Sequence, residues 1–387
     1  MSGFFEGGIA PLVSSVLLKD NPLYVQFYVT ARCNLRCRQC NVIYANADME
    51  ECTTDEAKRI AENLAEIGTS IVLLTGGEPF IRNDIADIAE ACMVNGVHPR
   101  LQTNGLASND QLDRVAALGA HDISISLDSL EPSIQDGING DVEDSWRTAI
   151  DRIAYINRTF PEDSFCALGC VLAPSNIDEV IPLIHFANAI GWWVSLVPAH
   201  QSAPTEPRSF ATFDQSMVFN TDEQRRAAAV LNEVRSMKHD GFNLYDSDEY
   251  LDDIERYITG SNIRWRRRND DQCDSPNLYF AIQPNGDMAV CCDYRIATSY
   301  PVHDPRFPEW YRNREMFPEI NAATSACSGC MYGSYPEITI SARYARPMFE
   351  RAQLFLKGGP KRKLVPMSTD EMVELAAQIR SEHLVMA

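Results

Sequence analysis

Short apolar or β-branched runs alternate with amphipathic helical patterns six times between residues 22 and 198. The first predicted strand is Tyr24–Val29. The helix predicted over residues 53–67 begins with the capping pair Thr53 and Glu56 and stops at Gly68. Repeated β/α alternation builds a parallel sheet or barrel, whose active site lies at the carboxyl ends of the strands. The sequence therefore predicts an α/β fold with a partial (β/α)6 barrel. The further predicted strands are 71–74, 100–103, 122–127, 165–172 and 193–197.

Composition and pattern divide the chain into five predicted segments. Asn285-Gly286, between two apolar runs, is the strongest short hairpin signal and marks a strand pair outside the barrel. The segments are 1–21 (an N-terminal extension), 22–198 (the barrel), 199–260 (a Pro-, Ser- and Thr-rich loop and bridging helices), 261–340 (a small Cys-rich α+β domain) and 341–387 (a helical tail).

Three cysteines, Cys33, Cys37 and Cys40, directly follow the first predicted strand. A loop this short can wrap one iron–sulfur cube and give a thiolate to each of three irons. The fourth iron is then open to a non-protein ligand, which is the arrangement needed for chemistry rather than for electron storage. The alternatives are a turn with three buried cysteines or a zinc knuckle, but zinc favours four closed ligands.

A CxxxCxxC loop after the first strand of a β/α barrel resembles that of the radical S-adenosylmethionine (radical SAM) enzymes, and the resemblance covers about residues 22–198. It implies a 4Fe-4S cluster on the three cysteines. Further residues at strand ends are similar to the family's S-adenosylmethionine-contacting positions. They are Gly76, Gly77, Glu78 and Pro79 after the second strand (the GGEP motif), Asn104 after the third, and Ser126 and Asp128 at the end of the fourth.

Two places depart from the family's pattern. The position before the third cysteine is often aromatic, whereas Gln39 stands there, so Tyr28 or Tyr44 is the alternative cover for the adenine. The fifth-strand motif GxIxGxxE is also altered. The residues at the defined positions of this motif are Gly169, Val171, Ala173 and Asn176.

A second cysteine set lies in the segment 261–340 and consists of Cys273, Cys291, Cys327 and Cys330. Four cysteines that include a CxxC can hold either zinc or an iron–sulfur cluster, and spacing alone does not separate the two. The pattern resembles the auxiliary-cluster region called SPASM or twitch. No cysteine follows Cys330, so the match is to the shorter twitch form, which implies one auxiliary 4Fe-4S cluster with four protein ligands.

The charge balance bears on partners and location. Against 34 basic residues stand 54 acidic ones, a formal net charge of −20, which disfavours binding to nucleic acid and to anionic membrane surfaces. No apolar run approaches the roughly 18 residues of a membrane span. Residues 1–20 lack a basic n-region, so we expect no secretory signal, no membrane span and a cytoplasmic chain.

The resemblance implies a radical SAM oxidoreductase that cleaves S-adenosylmethionine to a 5′-deoxyadenosyl radical. The radical would take a hydrogen atom from an organic small molecule of a biosynthetic pathway, with the auxiliary cluster as electron acceptor. A reducing partner such as flavodoxin or ferredoxin would supply the first electron. His200, after the sixth predicted strand, is a candidate for substrate contact. The alternatives are a tetrapyrrole (heme or bacteriochlorophyll) side-chain modifying enzyme, a peptide or protein maturase, and a non-enzymatic iron–sulfur or zinc scaffold.

Overall fold

The computed structural model describes residues 21–40, 49–162, 164–200, 215–266, 273–292, 294–327, 329–332, 334–356 and 363–384. The predicted N-terminal extension up to Asp20, Tyr44 and most of the loop at 199–221 lie outside the described residues.

Within the described residues, strands and helices alternate along the first half of the chain and helices dominate the second half. The strands are β1 (Tyr24–Thr30), β2 (Ile71–Gly76), β3 (His98–Thr103), β4 (Ile123–Ser126), β5 (Cys166–Leu172), β6 (Trp193–Pro198), β7 (Tyr279–Ile282) and β8 (Met288–Ala289). The helices are α1 (Thr54–Glu66), α2 (Ile85–Val94), α3 (Asn109–Ala117), α4 (Pro132–Ile138), α5 (Ser145–Thr159), α6 (Val180–Ile190), α7 (Thr221–His239), α8 (Asp248–Ile258), α9 (Phe307–Arg312), α10 (Phe317–Ala326), α11 (Ser334–Arg343), α12 (Ala345–Leu356) and α13 (Thr369–Leu384). Short 3₁₀ turns occur at Pro79–Ile81, Ile177–Glu179, Gln215–Met217 and Arg264–Arg266.

One sheet carries all eight described strands, in the order β6-β5-β4-β3-β2-β1-β7-β8. Strands β1 to β6 are parallel to their neighbours, which confirms the predicted α/β fold and its six β/α units. The seventh strand comes from the predicted Cys-rich segment 261–340 and pairs in parallel with β1, with Tyr24 opposite Tyr279. That segment therefore adds a strand to the barrel sheet, while the boundaries of the five segments stay predictions.

The two faces of each barrel strand have different surroundings. On β4, Ile123 and Ile125 are buried in the main core beneath the helices, while Ser124 and Ser126 lie on the opposite face and are half-buried. Every residue of β1 is buried, because this strand has neighbours on both edges and side chains packed on both faces. The sequence of a strand that is covered in this way is an almost continuous run of apolar residues, as it is over residues 24–29.

The edge of the barrel at β6 is extended by the chain that follows α7. Leu244 forms a parallel bridge with Val194, and Asp246 accepts hydrogen bonds from the Ser195 hydroxyl at 2.9 Å and from the Leu196 amide at 2.7 Å. Burial, and to a smaller extent the nearby carboxylate of Glu337 on α11, raises the pKa of Asp246 to about 7. This buried carboxyl ties the segment to the last barrel strand.

The C-terminal helix α13 packs against α5 and α6 on the outside of the barrel. Three ion pairs fasten it. Arg380 contacts the buried Glu179 at 3.0 Å, and Asp370 pairs with Arg147 at 2.8 Å on the exposed surface. Arg380 also contacts Glu131 at 2.7 Å. The helix therefore bridges the loops that follow β4 and β5.

A search of the described residues for membrane spans finds no helix with the length and apolar character to cross a bilayer.

Candidate active site

The cysteine loop follows β1 and is held by the chain around α4. The amide of Arg36 donates to the carbonyl of Asn139, and that of Arg38 to the carbonyl of Ile138, both at 3.2 Å. Gly140, at φ +85°, lies so close that a Cβ there would come within 2.5 Å of the Arg36 carbonyl oxygen. The loop is therefore shaped by backbone contacts with a helix that is about 100 residues further along the chain.

The three loop cysteines are half-buried and lie close enough to influence one another electrostatically. The Leu35 amide donates to Cys33 Sγ at 3.4 Å, and Nδ2 of Asn104 approaches the same sulfur at 3.7 Å. Burial raises the pKa of the Cys33 thiol to about 11. Burial also raises the pKa of Cys37, and the Cys40 and Asp128 side chains raise it further. Because iron binds the thiolate, a bound cluster has to overcome this cost, as metal binding to buried thiols generally does.

The glycine pair at the end of β2 lies directly against the start of the cysteine loop. Gly77 donates its amide to the Thr30 carbonyl, and Glu78 donates to that of Arg32, both at 2.8 Å. A Cβ on Gly77 would lie 2.1 Å from the Arg32 carbonyl oxygen, and one on Gly76 would lie 2.2 Å from that of Thr30. The chain itself therefore requires glycine at both positions, in addition to any approach of a ligand.

Glu78 links the ends of β2 and β3 from a buried position. Its carboxylate accepts hydrogen bonds from the Asn104 amide at 2.7 Å, the Thr103 hydroxyl at 2.9 Å and the Phe80 amide at 3.0 Å. Burial raises the pKa of Glu78 to about 7, although these donors favour the ionised form. Pro79, also buried, opens the short 3₁₀ turn that follows. Within the protein, the Glu78 side chain therefore positions Asn104 relative to the glycine pair.

Asn104 connects this network to the cysteine loop. Its Nδ2 donates to Oδ1 of Asn34 at 2.7 Å, in addition to its contact with Cys33. The predicted residues Cys33, Glu78 and Asn104 thus form one continuous contact chain at the carboxyl ends of β1, β2 and β3.

Asp128 forms a second contact chain at the ends of β4 and β5. Its Oδ1 accepts from the Val171 amide at 2.6 Å, and its Oδ2 accepts from Nε2 of Gln39 at 3.1 Å. Burial raises the pKa of Asp128 to about 6. Ser126, the last residue of β4, lies two positions before Asp128 and is half-buried. Asp128 therefore contacts the cysteine loop through Gln39.

Two site residues, Gln135 and Asn139, escaped the sequence-based prediction, and a third, Asn176, was noted there only as a departure from the fifth-strand motif. Gln135 accepts from the amides of Asp128 and Ser129 at 2.7 and 3.0 Å, and it donates to Asn139, whose Oδ1 lies 3.6 Å from Cys37 Sγ. Asn176 donates to the carbonyls of Asp128 and Val171 at 3.0 and 2.9 Å. The spacing of Gln135 and Asn139, four residues apart behind Pro132, was the available signal, because it places both on one face of a helix.

The second cysteine set lies around the β7–β8 hairpin and the end of α10. Cys273 Sγ lies 3.2 Å from the hydroxyl of Tyr279, and burial raises the pKa of Cys273 to about 12. The amide of Tyr294 donates to Cys291 Sγ, and that of Gly329 donates to Cys327 Sγ, each at 3.4 Å. Cys33, Cys291 and Cys327 thus each receive a backbone N–H, and such bonds to sulfur tune iron–sulfur sites.

The region between the two cysteine sets contains aromatic side chains. Cys40 and Cys292 both pack on a small cluster formed by Tyr28, Ala281 and Ala289. Tyr28 is buried, and burial together with the nearby Cys292 thiol raises its pKa.

The sixth strand leads into the same region. His200 follows β6, and its Nδ1 lies 3.2 Å from the hydroxyl of Tyr257, with the two rings stacked. The ring of Tyr332, two residues after Cys330, meets His200 edge-on at 5.5 Å. His200 is therefore placed at the carboxyl end of the barrel, beside the segment that carries the CxxC.

The other cysteines behave as core residues or stay outside both sets. Cys92, Cys166 and Cys170 are buried in the main core, as their periodicity predicts. Among the described residues, no three His, Cys, Asp or Glu side chains converge to hold one metal ion. An iron–sulfur cube instead spreads its ligands, because each thiolate binds a different iron. The donor chemistry of both sets, soft thiols with N–H groups directed at sulfur, fits such a cluster.

Comparison with known proteins finds similarities that include the strands and the cysteine loop of the candidate site. Residues 27–187 match the family model described as Radical SAM superfamily. The chain is 28% identical over 178 residues to an AdoMet-dependent heme synthase of Methanosarcina barkeri, an alignment that covers 46% of this chain and 50% of that protein. The aligned part thus spans about half the length of that relative. The chain is also 23% identical over 319 residues to the mycofactocin maturase MftC of Mycolicibacterium smegmatis, covering 80% of this chain and 76% of that one.

Among solved structures, Streptococcus suis SuiB bound to precursor peptide SuiA aligns with a TM-score of 0.60. The alignment covers 85% of this chain and 74% of that chain at 16% sequence identity. At this level of identity the likeness concerns the fold.

Proposed function

We propose that the chain is a radical SAM enzyme that removes a hydrogen atom from a C–H bond of an organic small molecule in a biosynthetic pathway. The match of residues 27–187 to the radical SAM family model supports this proposal. Cys33, Cys37 and Cys40 would hold a 4Fe-4S cluster with S-adenosylmethionine at its open iron. When bound, these groups supply a 5′-deoxyadenosyl radical. The observation that supports this proposal is the contact of the cysteine loop with Asn104 and Asp128 at the strand ends.

The chain's own residues would bind and orient the cofactor. Gly76, Gly77 and Pro79 shape the edge of β2 against the cysteine loop, and Asn104, Ser126 and Asp128 present polar groups from the next strand ends. Glu78 would act from behind this surface, because its carboxylate is engaged by donors of the chain. The buried side chains of Leu35, Glu78 and Asp128 next to the cysteines would help to exclude water from the reacting groups, which protects a radical from side reactions.

We propose that Cys273, Cys291, Cys327 and Cys330 hold a second 4Fe-4S cluster, which would supply an electron acceptor for net oxidation of the substrate. Zinc has no redox chemistry to offer in that role. Cys40 of the first set and Cys292, the neighbour of Cys291 in the second set, pack on one small cluster around Tyr28, which supports communication between the two sets. The first electron would come from a reducing partner such as flavodoxin or ferredoxin, and the enzyme would act in the cytoplasm.

A tetrapyrrole is the second candidate substrate. The observation in its favour is the similarity to a protein named AdoMet-dependent heme synthase. A peptide is the third candidate, because SuiB, whose fold is similar, is described in complex with a precursor peptide. Deuterium transfer from labelled compounds of these three classes into 5′-deoxyadenosine would separate them, since only the true substrate loses its hydrogen to the radical.

Replacing Cys33, Cys37 and Cys40 together with alanine tests the proposal. We expect a folded protein with about half the iron of the wild type and no cleavage of S-adenosylmethionine, because only the auxiliary set can still bind a cluster. Iron is measured on anaerobically reconstituted protein, and 5′-deoxyadenosine is measured by chromatography. Continued formation of 5′-deoxyadenosine by this variant would end the radical SAM proposal for this site.

Two further variants complete this experiment. Cys92→Ala, in the core and outside both sets, should keep all iron. Cys327→Ala with Cys330→Ala should lose about four irons and retain S-adenosylmethionine cleavage. A wild-type content of about four irons and one zinc would refute the second cluster while leaving the first intact.

A further inference from the structure

The inner face of the barrel, opposite the helices, is polar and accessible to solvent. On β3 to β6, residues of this face alternate with buried core residues and are half-buried themselves. A Cβ added to Gly169 would meet only the Ser124 hydroxyl among the described residues, at the ordinary contact distance of 3.5 Å. The inner face therefore borders open space rather than a packed core. Its half-buried residues include Gln102, Ser124, Ser126, Gly169 and Ser195.

Arg100 on β3 is the charged residue of this face. No other Lys, Arg, Asp or Glu occurs in any of the eight described strands. Arg100 is half-buried and alternates with Leu101, which is buried in the main core. Its guanidinium carbon lies 4.7 Å from the centre of the Phe165 ring and 5.6 Å from that of Tyr245. These rings pack together with Trp193, so Arg100 lies on an aromatic surface at the amino-terminal end of the strands.

The Arg100 guanidinium has no anionic partner within the described part of the chain. Arg351 lies on the same tyrosine ring at 3.8 Å, but its Nη2 contacts Oε1 of Glu337 at 2.8 Å. Asp122, which precedes β4 beside Arg100, contacts Nε2 of His98 at 2.6 Å instead. A charge that is partly removed from water is costly unless it is paired. Because the guanidinium is accessible, a ligand can supply the missing anion.

We propose that Arg100 binds a carboxylate of the substrate at the end of the inner face that is remote from the cysteine loop. The inference rests on the proposed function, since it takes the substrate to enter the barrel beside that loop. A planar guanidinium matches a carboxylate with two parallel hydrogen bonds. One unpaired positive charge favours a carboxylate over a doubly charged phosphate.

The length of β3 sets the size of the substrate. Asn104, which contacts Cys33, lies four residues beyond Arg100, and a strand rises about 3.3 Å per residue. The two positions are therefore about 13 Å apart along the strand. With the strands tilted as in a barrel, the substrate is an organic acid whose carboxylate is roughly 10 Å from the C–H bond that reacts.

Three phenyl-substituted acids, 3-phenylpropanoate, 4-phenylbutanoate and 5-phenylpentanoate, test the inference without turnover. Each is compared with its neutral primary amide by calorimetry on the anaerobically reconstituted full chain. The wild type should bind at least one acid roughly tenfold or more tightly than its amide, because the amide cannot make charge-assisted hydrogen bonds. Arg100→Met should bring the members of each pair within about threefold.

Two further variants guard against an effect of folding. Arg100→Lys keeps the charge without the planar fork, so it should retain an intermediate preference for the acid. Arg114→Met removes an exposed arginine of α3, outside the barrel, and should leave the wild-type preference unchanged. Iron content and circular dichroism confirm that each variant is loaded and folded.

The outcomes separate the inference from the function on which it rests. If the wild type cleaves S-adenosylmethionine but binds no acid more tightly than its amide, or if Arg100→Met keeps the wild-type preference, the assignment of Arg100 is overturned and the proposed function stands. Tighter binding of 4-phenylbutylphosphonate than of 4-phenylbutanoate, lost in Arg100→Met, would overturn the carboxylate in favour of a phosphate. If the reconstituted wild type forms no 5′-deoxyadenosine, the proposed function itself fails.

Discussion

At the scale of single residues, the active-site end of the barrel depends on how closely two backbones approach. Gly77 lies against the Arg32 carbonyl with no room for a Cβ, and it does so at the start of the cysteine loop. The loop geometry and the glycine are therefore coupled before any cofactor binds.

We expect Gly77→Ala to lower the free energy of unfolding by roughly 2–4 kcal/mol, because backbone atoms rather than a flexible side chain block the new Cβ. Gly137→Ala in α4 is the matched control, since its nearest neighbour would be Asp141 Oδ1 at 3.9 Å. That change should be neutral or stabilising by up to about 1 kcal/mol. Denaturant unfolding of both variants provides the measurement. A Gly77→Ala protein of wild-type stability that fails to bind S-adenosylmethionine would show that the glycine serves the cofactor alone.

At the scale of elements, the last barrel strand and the segment that follows α7 are joined by a carboxyl group whose pKa is raised to about 7, mainly by burial. Asp246 holds the Ser195 hydroxyl and the Leu196 amide, and its pKa is about 7 in the folded protein against 3.8 for an exposed aspartate. The folded state therefore holds this proton more tightly than the unfolded state does. The contribution of Asp246 to stability is greatest at low pH and falls as pH rises from about 4 to about 7.

Asp246→Asn replaces the titrating group with a neutral one of the same shape. Its stability relative to the wild type should rise between pH 5 and pH 7 and level off above pH 7, because only the wild type loses a proton there. Urea unfolding midpoints at pH 5, 6, 7 and 8 measure the difference. Parallel pH profiles for the two proteins would contradict the predicted titration of Asp246.

At the scale of the whole molecule, α13 connects parts of the barrel that are far apart in the chain. Arg380 pairs with Glu179, which is only 3% exposed and also accepts from the hydroxyl of Ser129. Arg147 and Asp370, which fasten the same helix, are 53% and 81% exposed. Removing a partner from a buried pair leaves an uncompensated charge, whereas exposed pairs contribute little.

Arg380→Met should therefore destabilise the protein by about 3 kcal/mol, and Arg147→Met should change stability by less than about 1 kcal/mol. Thermal unfolding of the two variants compares them directly. Because Glu131 and Glu179 flank the loops after β4 and β5, the first variant should also weaken binding of S-adenosylhomocysteine. Equal effects of the two substitutions would show that α13 is held by its apolar face.

The barrel could be predicted because its sequence pattern is local. Much of the site could not be predicted, since the residues that contact one another there are far apart in the chain. Thr53, Glu56 and the apolar spacing between them predict α1, and the Cys33 loop is visible in eight consecutive residues. Helix α4 was missed because it has only seven residues and contains Gly137. The contact of Gln39 with Asp128 joins residues 89 positions apart, and no pattern of spacing encodes it. Glu78 was predicted to bind cofactor from its motif, but only the fold shows which donors its carboxylate meets.

The pairing of β7 with β1 has a consequence for the order of events during synthesis. Tyr24 and its neighbours leave the ribosome first, yet their hydrogen-bonding partners around Tyr279 follow roughly 250 residues later. Until then, one edge of a largely apolar strand presents unpaired N–H and C=O groups, which form a template for association with other chains. The cysteine loop grows from the end of that same strand. We therefore expect the proposed cluster to be loaded late, after the Cys-rich region has emerged and covered the exposed edge, and we expect nascent chains that stall before residue 279 to depend on chaperones.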